Sequence, residues 1–440
     1  MKYFSTRNRN SFVSFRDAVM HGLASDGGLF LPEEIPSFPQ SFLDNLRTLS
    51  FQEIGFQTAK LFVGDEISES KLHEIIERSI DFPAPLVDLN DQLHVLELFH
   101  GPTLAFKDFG AQFMARTMEH FVKDDNRELV ILVATSGDTG SAVAHGFYGV
   151  EGIKVFLLYP SGKVSAIQEQ QLTTLDKNIV ALEIHGTFDD CQHLVKSAFT
   201  DDDLKEKLNL SSANSINIAR LIPQSFYYIN AVKQLKSSGK EIIVSVPSGN
   251  LGNITAGLIA KHMGLPIAKF IAATNSNDVF TNYLSSGKFE PRKSVQTYSN
   301  AMDVGNPSNL ERVRSLFGDN LENMESEIAS FSFDDNETVS GIKEVYDKFG
   351  YVIDPHGSVG YLAMKKYRMH SLSLQHKTNY DAVVVETAHP AKFKDVVDNT
   401  INREIEMPER LAECMKKKKH SIILDSKFET FKDYLLGTVE

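Results

Sequence analysis

The spacing of apolar residues along the chain changes in character as it runs from one end to the other. Up to about residue 90 they recur mostly at i, i+3 and i+4. Examples are Phe12-Val13-Ser14-Phe15-Arg16-Asp17-Ala18-Val19-Met20 and Lys71-Leu72-His73-Glu74-Ile75-Ile76-Glu77-Arg78, and they predict a mostly helical N-terminal region over 1–90. From 91 to 275 short β-rich runs alternate with amphipathic stretches. Strands are predicted at 95–98, 129–134, 154–159, 179–184, 242–246 and 268–272, with helices at 109–122, 191–199, 224–236 and 254–262. Alternating β and α elements imply parallel strands whose crossover helices cover both faces. A smaller inserted domain is expected within this region at about 130–215. Residues 276–440 read as helix-rich, with Asn306-Pro307-Ser308 capping a helix near residue 309. They return to the larger domain with a last strand at 382–386 and end in a helical tail. The fold class is α/β: two domains with parallel-type sheets flanked by helices, plus helical additions at both ends.

Composition narrows the function classes. The chain has 440 residues, 42% hydrophobic and 23% charged, ordinary values for a globular protein of two or three domains. Its uninterrupted apolar runs, such as Leu129-Val130-Ile131-Leu132-Val133-Ala134, are strand-sized, far short of the ~20 residues that span a bilayer. The N-terminus, Met1-Lys2-Tyr3-Phe4-Ser5-Thr6-Arg7, carries no apolar core, which argues against a secretory signal and for a cytoplasmic location. Cys191 and Cys414 are far apart and belong to no C-x-x-C pair, so neither a disulfide framework nor a bound metal is expected. The formal net charge of −13 excludes nucleic acid and anionic membrane as general partners. The basic run Lys416-Lys417-Lys418-Lys419 reads as cations at a helix C-terminus. An anionic substrate must therefore be met by a few local cations or by backbone dipoles.

Four segments carry candidate chemistry. Ser248-Gly249-Asn250-Leu251-Gly252-Asn253 lies between a predicted strand and a predicted helix, the geometry that turns backbone N–H groups and a positive helix end toward a phosphate. It is not a Walker A loop: the three Gly-Lys pairs continue with Val164, Glu241 and Phe289. Its bland reading is a βα turn with Asn caps. Thr135-Ser136-Gly137-Asp138-Thr139-Gly140-Ser141 is placed the same way, with Ser136 or Asp138 as a simple N-cap in the bland reading. Two such loops at the carboxyl ends of neighbouring parallel strands face one crevice. In His100-Gly101-Pro102-Thr103-Leu104-Ala105-Phe106-Lys107-Asp108-Phe109-Gly110 a lysine stands among apolar residues at a helix start. There the helix dipole and desolvation both lower its pKa and favour the free amine needed for imine formation; a solvated surface charge is the alternative. Finally, Val385-Glu386-Thr387-Ala388-His389-Pro390 puts a hydroxyl at a strand end, where it either caps the next helix or reaches into the crevice.

Together these segments resemble the signatures of the threonine synthase family, pyridoxal-phosphate enzymes of the tryptophan-synthase-β fold (fold type II). Supporting stretches are Asp26-Gly27-Gly28-Leu29-Phe30-Leu31-Pro32, Asn214-Ser215-Ile216-Asn217-Ile218-Ala219-Arg220, Ala301-Met302-Asp303-Val304-Gly305-Asn306-Pro307 and Asp354-Pro355-His356-Gly357. The likeness runs in order along essentially the whole chain and is to the longer microbial and fungal branch. It implies a carbon-oxygen lyase acting on a phosphate: O-phospho-L-homoserine plus water give L-threonine plus phosphate, a β,γ-replacement in threonine biosynthesis. It further implies that Lys107 holds pyridoxal 5′-phosphate covalently and shuttles protons. Gly249, Asn250, Leu251 and Asn253 would cradle the cofactor phosphate, and Thr387 would meet the pyridine nitrogen. The resemblance assigns Ser136, Gly137, Asp138 and Thr139 to the substrate carboxylate, where related folds often have Asn in place of Asp138. It assigns Asn214, Ser215, Asn217 and Arg220 to the substrate phosphate. Position 251 is Leu where Phe is common, a change of packing. The resemblance leaves open monomer or homodimer. A lyase degrading the same class of substrate, or a non-catalytic relative, would share the fold; retention of Lys107 speaks against the latter.

Overall fold

The computed structural model describes residues 1–123, 127–135, 137–236, 239–373 and 379–439, which form three sheets. The largest has six strands in the order Ile328–Ser332, Lys269–Thr274, Glu241–Pro247, Tyr380–Glu386, Leu93–Glu97 and Leu86–Asp88. All its neighbours run parallel except the last pair. A second, five-stranded and wholly parallel sheet has the order Ile422–Asp425, Ile179–His185, Ile153–Pro160, Leu129–Ala134 and Asn209–Ser212.

Leu129–Ala134 shows why this run is a strand. Every residue of it is buried, as expected where helices cover both faces of a parallel sheet. Val130 and Leu132 share a core with Cys191, Leu194, Phe431 and Leu435. The intervening Ile131 and Val133 share one with Val143 and Phe147. The period of two thus feeds two separate cores.

Four helices position the site: α1 (Lys107–Val122), α2 (Asp138–Phe147), α3 (Ile218–Gln234) and α4 (Gly252–His262). α1 packs on α2 and α3, and α3 packs on α4. Phe109 of α1 is fully buried against the rings of Phe51, Phe82 and Tyr227; a side chain of this size contributes roughly 1.5–3 kcal/mol by its burial. α2 and α4 each begin just after the carboxyl end of a parallel strand, Leu129–Ala134 and Glu241–Pro247 respectively; the two strands belong to different sheets and are not neighbours in one, as their loops had suggested.

The N-terminal region is not mostly helical throughout. Tyr3–Ser5 pairs antiparallel with Asn8–Val13 and with Phe30–Pro32. The apolar run at 12–20 divides at Ser14, whose Oγ accepts from Asp17 N while the Asp17 carboxylate accepts from Ser14 N. That capping box starts a helix at Phe15 and leaves Phe12 and Val13 to the strand. Helices then occupy Gln40–Asn45, Phe51–Val63 and Glu69–Ser79. The tail also differs from a purely helical one. Between helices Glu409–Lys416 and Phe428–Val439 it adds the strand Ile422–Asp425 to the smaller sheet. In the lysine run, Lys419 reaches Glu169 (2.5 Å) and Glu183 (2.9 Å). No described helix is long and apolar enough to cross a membrane.

Candidate active site

The glycine loop after Glu241–Pro247 is built to receive an anion. Ser248 N still bonds to Ala273 O, but the amides of Gly249, Asn250, Leu251, Gly252 and Asn253 find no acceptor among the described residues. Leu251 makes this possible. It adopts the left-handed conformation (φ 60°, ψ 3°) at the N-cap of α4, a strained state for a residue with a branched side chain. The side chain itself is buried, so Leu251 offers the site only its backbone. Gly249 has no room for a side chain: a Cβ there would lie 2.7 Å from Met302 Cα.

Asn253 completes the seat. Its Oδ1 accepts from Tyr227 Oη (2.6 Å) and Tyr228 Oη (2.5 Å), while its buried Nδ2 has no partner among the described residues. Two fixed acceptor bonds thus aim an unsatisfied NH2, the kind of orphan that a ligand resolves. The Asn250 side chain is committed elsewhere. It donates to Ser215 Oγ (2.6 Å) and accepts from Ser308 N (2.7 Å) and Oγ (2.9 Å), clasping two loops beside the seat.

Lys107 is the first residue of α1. Its side chain is half-buried, but the amine lies deep enough that desolvation, helped by the nearby cations Lys392 and Arg220 against Asp138, lowers its pKa to about 8. Asp138 faces it from the first turn of α2. Burial opposes ionisation of Asp138, yet Lys392 and Lys107 hold its carboxyl well below the usual range. Lys392 Nζ lies 2.5 Å from Asp138 Oδ1, and both side chains are essentially inaccessible. Gln168 Nε2 donates to the same oxygen at 3.2 Å. Next to Lys107, Asp108 accepts from Thr103 N (2.9 Å) and Oγ1 (2.6 Å), and burial raises its pKa to about 6.

Of the residues expected at the substrate carboxylate, Ser136 lies outside the described residues. Gly137 has φ 142°, and a Cβ there would meet the Gln168 side chain at 2.5 Å. Thr139 stays partly open, with neither its amide nor its hydroxyl bonded among the described residues. Asp138 is a correction: an ionised carboxylate already bonded to Lys392 and Gln168 repels a second carboxylate and cannot grip it by itself.

The 214–220 segment is mixed. Asn214 Oδ1 is buried and unpartnered. Because amide O and N are assigned from their neighbours, that position equally presents the NH2. The Ser215 hydroxyl accepts from Asn250 and keeps its proton to give. Asn217 is a second correction. It is fully buried, its Oδ1 accepts from Ala219 N (3.0 Å) as the cap of α3, and its Nδ2 donates to Val19 O (2.8 Å). Nothing in that side chain is left for a substrate. Arg220 is buried, donates to Ala213 O (2.6 Å) and keeps an unpartnered Nε; burial lowers its pKa to about 10. Thr387 accepts from Phe106 N through its carbonyl (2.9 Å), while its hydroxyl is unbonded among the described residues.

Lys392 was not singled out from sequence, although it stands between Ala391 and Phe393, the same apolar setting that marks Lys107. Arg312 was also missed. It is fully buried without a carboxylate and donates to Phe30 O (3.0 Å), Ile216 O (2.6 Å) and Asn309 Oδ1 (2.8 Å). It thereby holds the 214–217 segment in place. The unpaired loop amides, the aimed Asn253 NH2, the free Thr387 hydroxyl and the low-pKa Lys107 together fit a phosphorylated pyridine aldehyde. Among the described residues no cluster could hold a metal ion.

Comparison with known proteins agrees. The profile described as threonine synthase N terminus matches residues 2–80, that of the pyridoxal-phosphate dependent enzymes residues 80–386, and that of the threonine synthase C-terminal region residues 358–435. Threonine synthase of Serratia marcescens is 41% identical over 438 residues, covering 99% of each chain. The crystal structure of the Escherichia coli threonine synthase superposes with a TM-score of 0.91 at 41% identity, over all of both chains. The structure of a PLP-bound threonine synthase from Brucella melitensis superposes at 0.93 and 36%, again over all of both. The chain belongs to the threonine synthase family of pyridoxal-phosphate dependent enzymes.

Proposed function

We propose that Lys107 is the residue on which the chain's threonine synthase reaction turns, and that the two anion-facing loops and Arg220 orient the substrate around it. The reaction converts O-phospho-L-homoserine and water to L-threonine and phosphate. When bound, pyridoxal phosphate supplies a reactive aldehyde and a conjugated ring that takes up the electron pair released at the amino-acid Cα. Gly249, Asn250, Leu251 and Asn253 hold its phosphate through their amides and the Asn253 NH2. Thr387 gives the ring nitrogen a hydroxyl partner, which supports a ring charge less than a carboxylate would.

Lys107 then works as the proton carrier. A neutral amine removes the proton at Cα and passes it to the substrate phosphate; free again, it takes the proton at Cβ as the protonated phosphate departs from Cγ, and gives that proton to Cγ. When water adds at Cβ the amine takes up the proton the water releases and delivers it to Cα. The low pKa of the amine suits both directions near neutral pH. Asn214, Ser215 and Arg220 orient the substrate phosphate, and the charged guanidinium stabilises it as it leaves. The amides of Asp138 and Thr139 and the Thr139 hydroxyl hold the substrate carboxylate at the head of α2, where Gly137, its own amide donating to Thr135 Oγ1, leaves the turn room; Ser136 joins them by family resemblance.

The single observation that carries this reading is the Lys107 amine at the start of α1, in the electrostatic reach of the buried Asp138–Lys392 pair (2.5 Å). The test is product analysis of the purified, cofactor-loaded protein given O-phospho-L-homoserine, with peptide mapping after borohydride reduction. Equal amounts of threonine and phosphate, and a pyridoxyl group on Lys107, are expected. Release of 2-oxobutyrate and ammonia, or a label on another lysine, would overturn it.

A further inference from the structure

Lys392 lies on the short turn Pro390–Phe393, three residues past the last one of the central sheet's Thr387–His389 exit. Its ammonium is wholly inaccessible and makes two contacts: Asp138 Oδ1 at 2.5 Å and the Thr103 carbonyl at 3.1 Å. One cation therefore fastens together the head of α2, the turn that leads into Lys107 and the segment that follows Thr387. Gln168 Nε2 donates to the same Asp138 oxygen.

The position of Asp138 makes this contact consequential. At the head of α2 the Gly137 and Gly140 amides donate to Thr135 Oγ1, while those of Asp138 and Thr139 find no acceptor among the described residues and are of the kind that attract an anion, yet the first side chain of that helix is itself a carboxylate. Left alone, it would set a negative charge beside an incoming carboxylate in a poorly solvated pocket, where such repulsion is strong. Asp138 carries −1 and Lys392 carries +1, so the bonded pair presents none.

We propose that Lys392 is a positioning residue for substrate binding: it neutralises and fixes Asp138, so that the loop at the head of α2 accepts the carboxylate of an amino acid. It acts through Asp138 and does not touch the ligand. The proposal rests on the reading of the Gly137–Thr139 loop as the carboxylate seat, and the experiment separates the two.

The probe is L-threonine, titrated into the pyridoxal-phosphate-loaded enzyme at fixed pH and salt and followed by the visible absorbance of the cofactor. Lys392→Met leaves a buried carboxylate unpaired, a change that also strains the fold. The double variant D138N/K392M removes both charges and keeps the test decidable. K392M is expected to raise the Kd for L-threonine at least about tenfold, the scale of losing one partner of a buried charge pair. D138N/K392M is expected to return it to within about threefold of the unaltered enzyme, a rescue that a merely structural lysine would not show. An unchanged Kd in K392M, or a double variant no better than K392M, overturns the proposal. Thr139→Val serves as the control on the seat. If it weakens L-threonine binding while K392M does not, only the role of Lys392 falls. If it has no effect, the carboxylate seat falls and the proposal with it.

Discussion

The two anion-facing parts of the site handle charge in opposite ways. The loop at 249–253 contains no Lys or Arg and works with backbone amides, one aimed side-chain amide and a helix end. The pocket around Lys107 is crowded with buried charge: Asp138, Lys392 and Arg220 all act on the one amine. A neutral seat binds an anion without perturbing the titration of its neighbours. A charged pocket sets the protonation of the group it surrounds, which is what a proton carrier needs. On the function proposed above, the first kind of surface holds the cofactor's phosphate and the second runs the chemistry.

Substitutions can sharpen that contrast. The largest effect is expected for Lys107→Ala: turnover falls by about 10³-fold, within the range a general acid–base contributes, and borohydride fixes no pyridoxyl group to the chain. Next, Arg220→Ala is expected to lower kcat/KM for phosphohomoserine by about 100-fold while the cofactor's absorbance is retained, because a charged hydrogen bond to the leaving group is lost. If absorbance falls in parallel, Arg220 serves the fold and not the substrate. In the neutral loop, Asn253→Ala should raise the Kd for pyridoxal phosphate by about tenfold, the equivalent of one hydrogen bond, and leave the pH dependence of turnover in place. A shifted pH profile would show that the two regions are not separate. The smallest effect belongs to Asn217→Ala. Loss of the α3 cap should cost about 1 kcal/mol of stability in denaturant unfolding with KM unaltered; a raised KM would return Asn217 to the substrate.

The same divide explains what the sequence made legible. Among the described residues, the strands predicted from pattern are the seven interior strands of the two large sheets, and the four missed ones are the four edges: Leu86–Asp88, Asn209–Ser212, Ile328–Ser332 and Ile422–Asp425. An interior strand is buried on both faces and reads as a continuous apolar run. An edge such as Asn209-Leu210-Ser211-Ser212 has one neighbour and half the burial, so its pattern fades into that of a loop. Of the N-terminal strands, Asn8–Val13 escaped for a related reason, being almost wholly exposed; Tyr3–Ser5 and Phe30–Pro32 are buried but only three residues long, too short to show a period.

The site divides in the same manner. The phosphate loop is contiguous, and its glycines, asparagines and flanking elements stand side by side in the chain, so its character could be read directly. The charged pocket is assembled from positions 103, 107, 138, 168, 220 and 392, and no local pattern announces that Lys392 meets Asp138. Asn217 misled in the opposite sense, because a residue that caps a helix and one that meets a ligand have the same chemistry until their partners are known. The apolar setting at a helix start singled out Lys107 and the family resemblance gave it a role; the contacts around it came from the fold.

The most direct test of the central claim is the pH dependence of pyridoxal phosphate capture by the cofactor-free protein, followed by reduction and mapping of the label. Only the neutral amine attacks an aldehyde, so the rate rises with pH as Lys107 loses its proton. Burial among cations places that midpoint at about 8, below the 10.5 of an ordinary lysine. A midpoint near 8 with the label on Lys107 is the expected result. A midpoint near 10.5, or a label on any other residue, would contradict it.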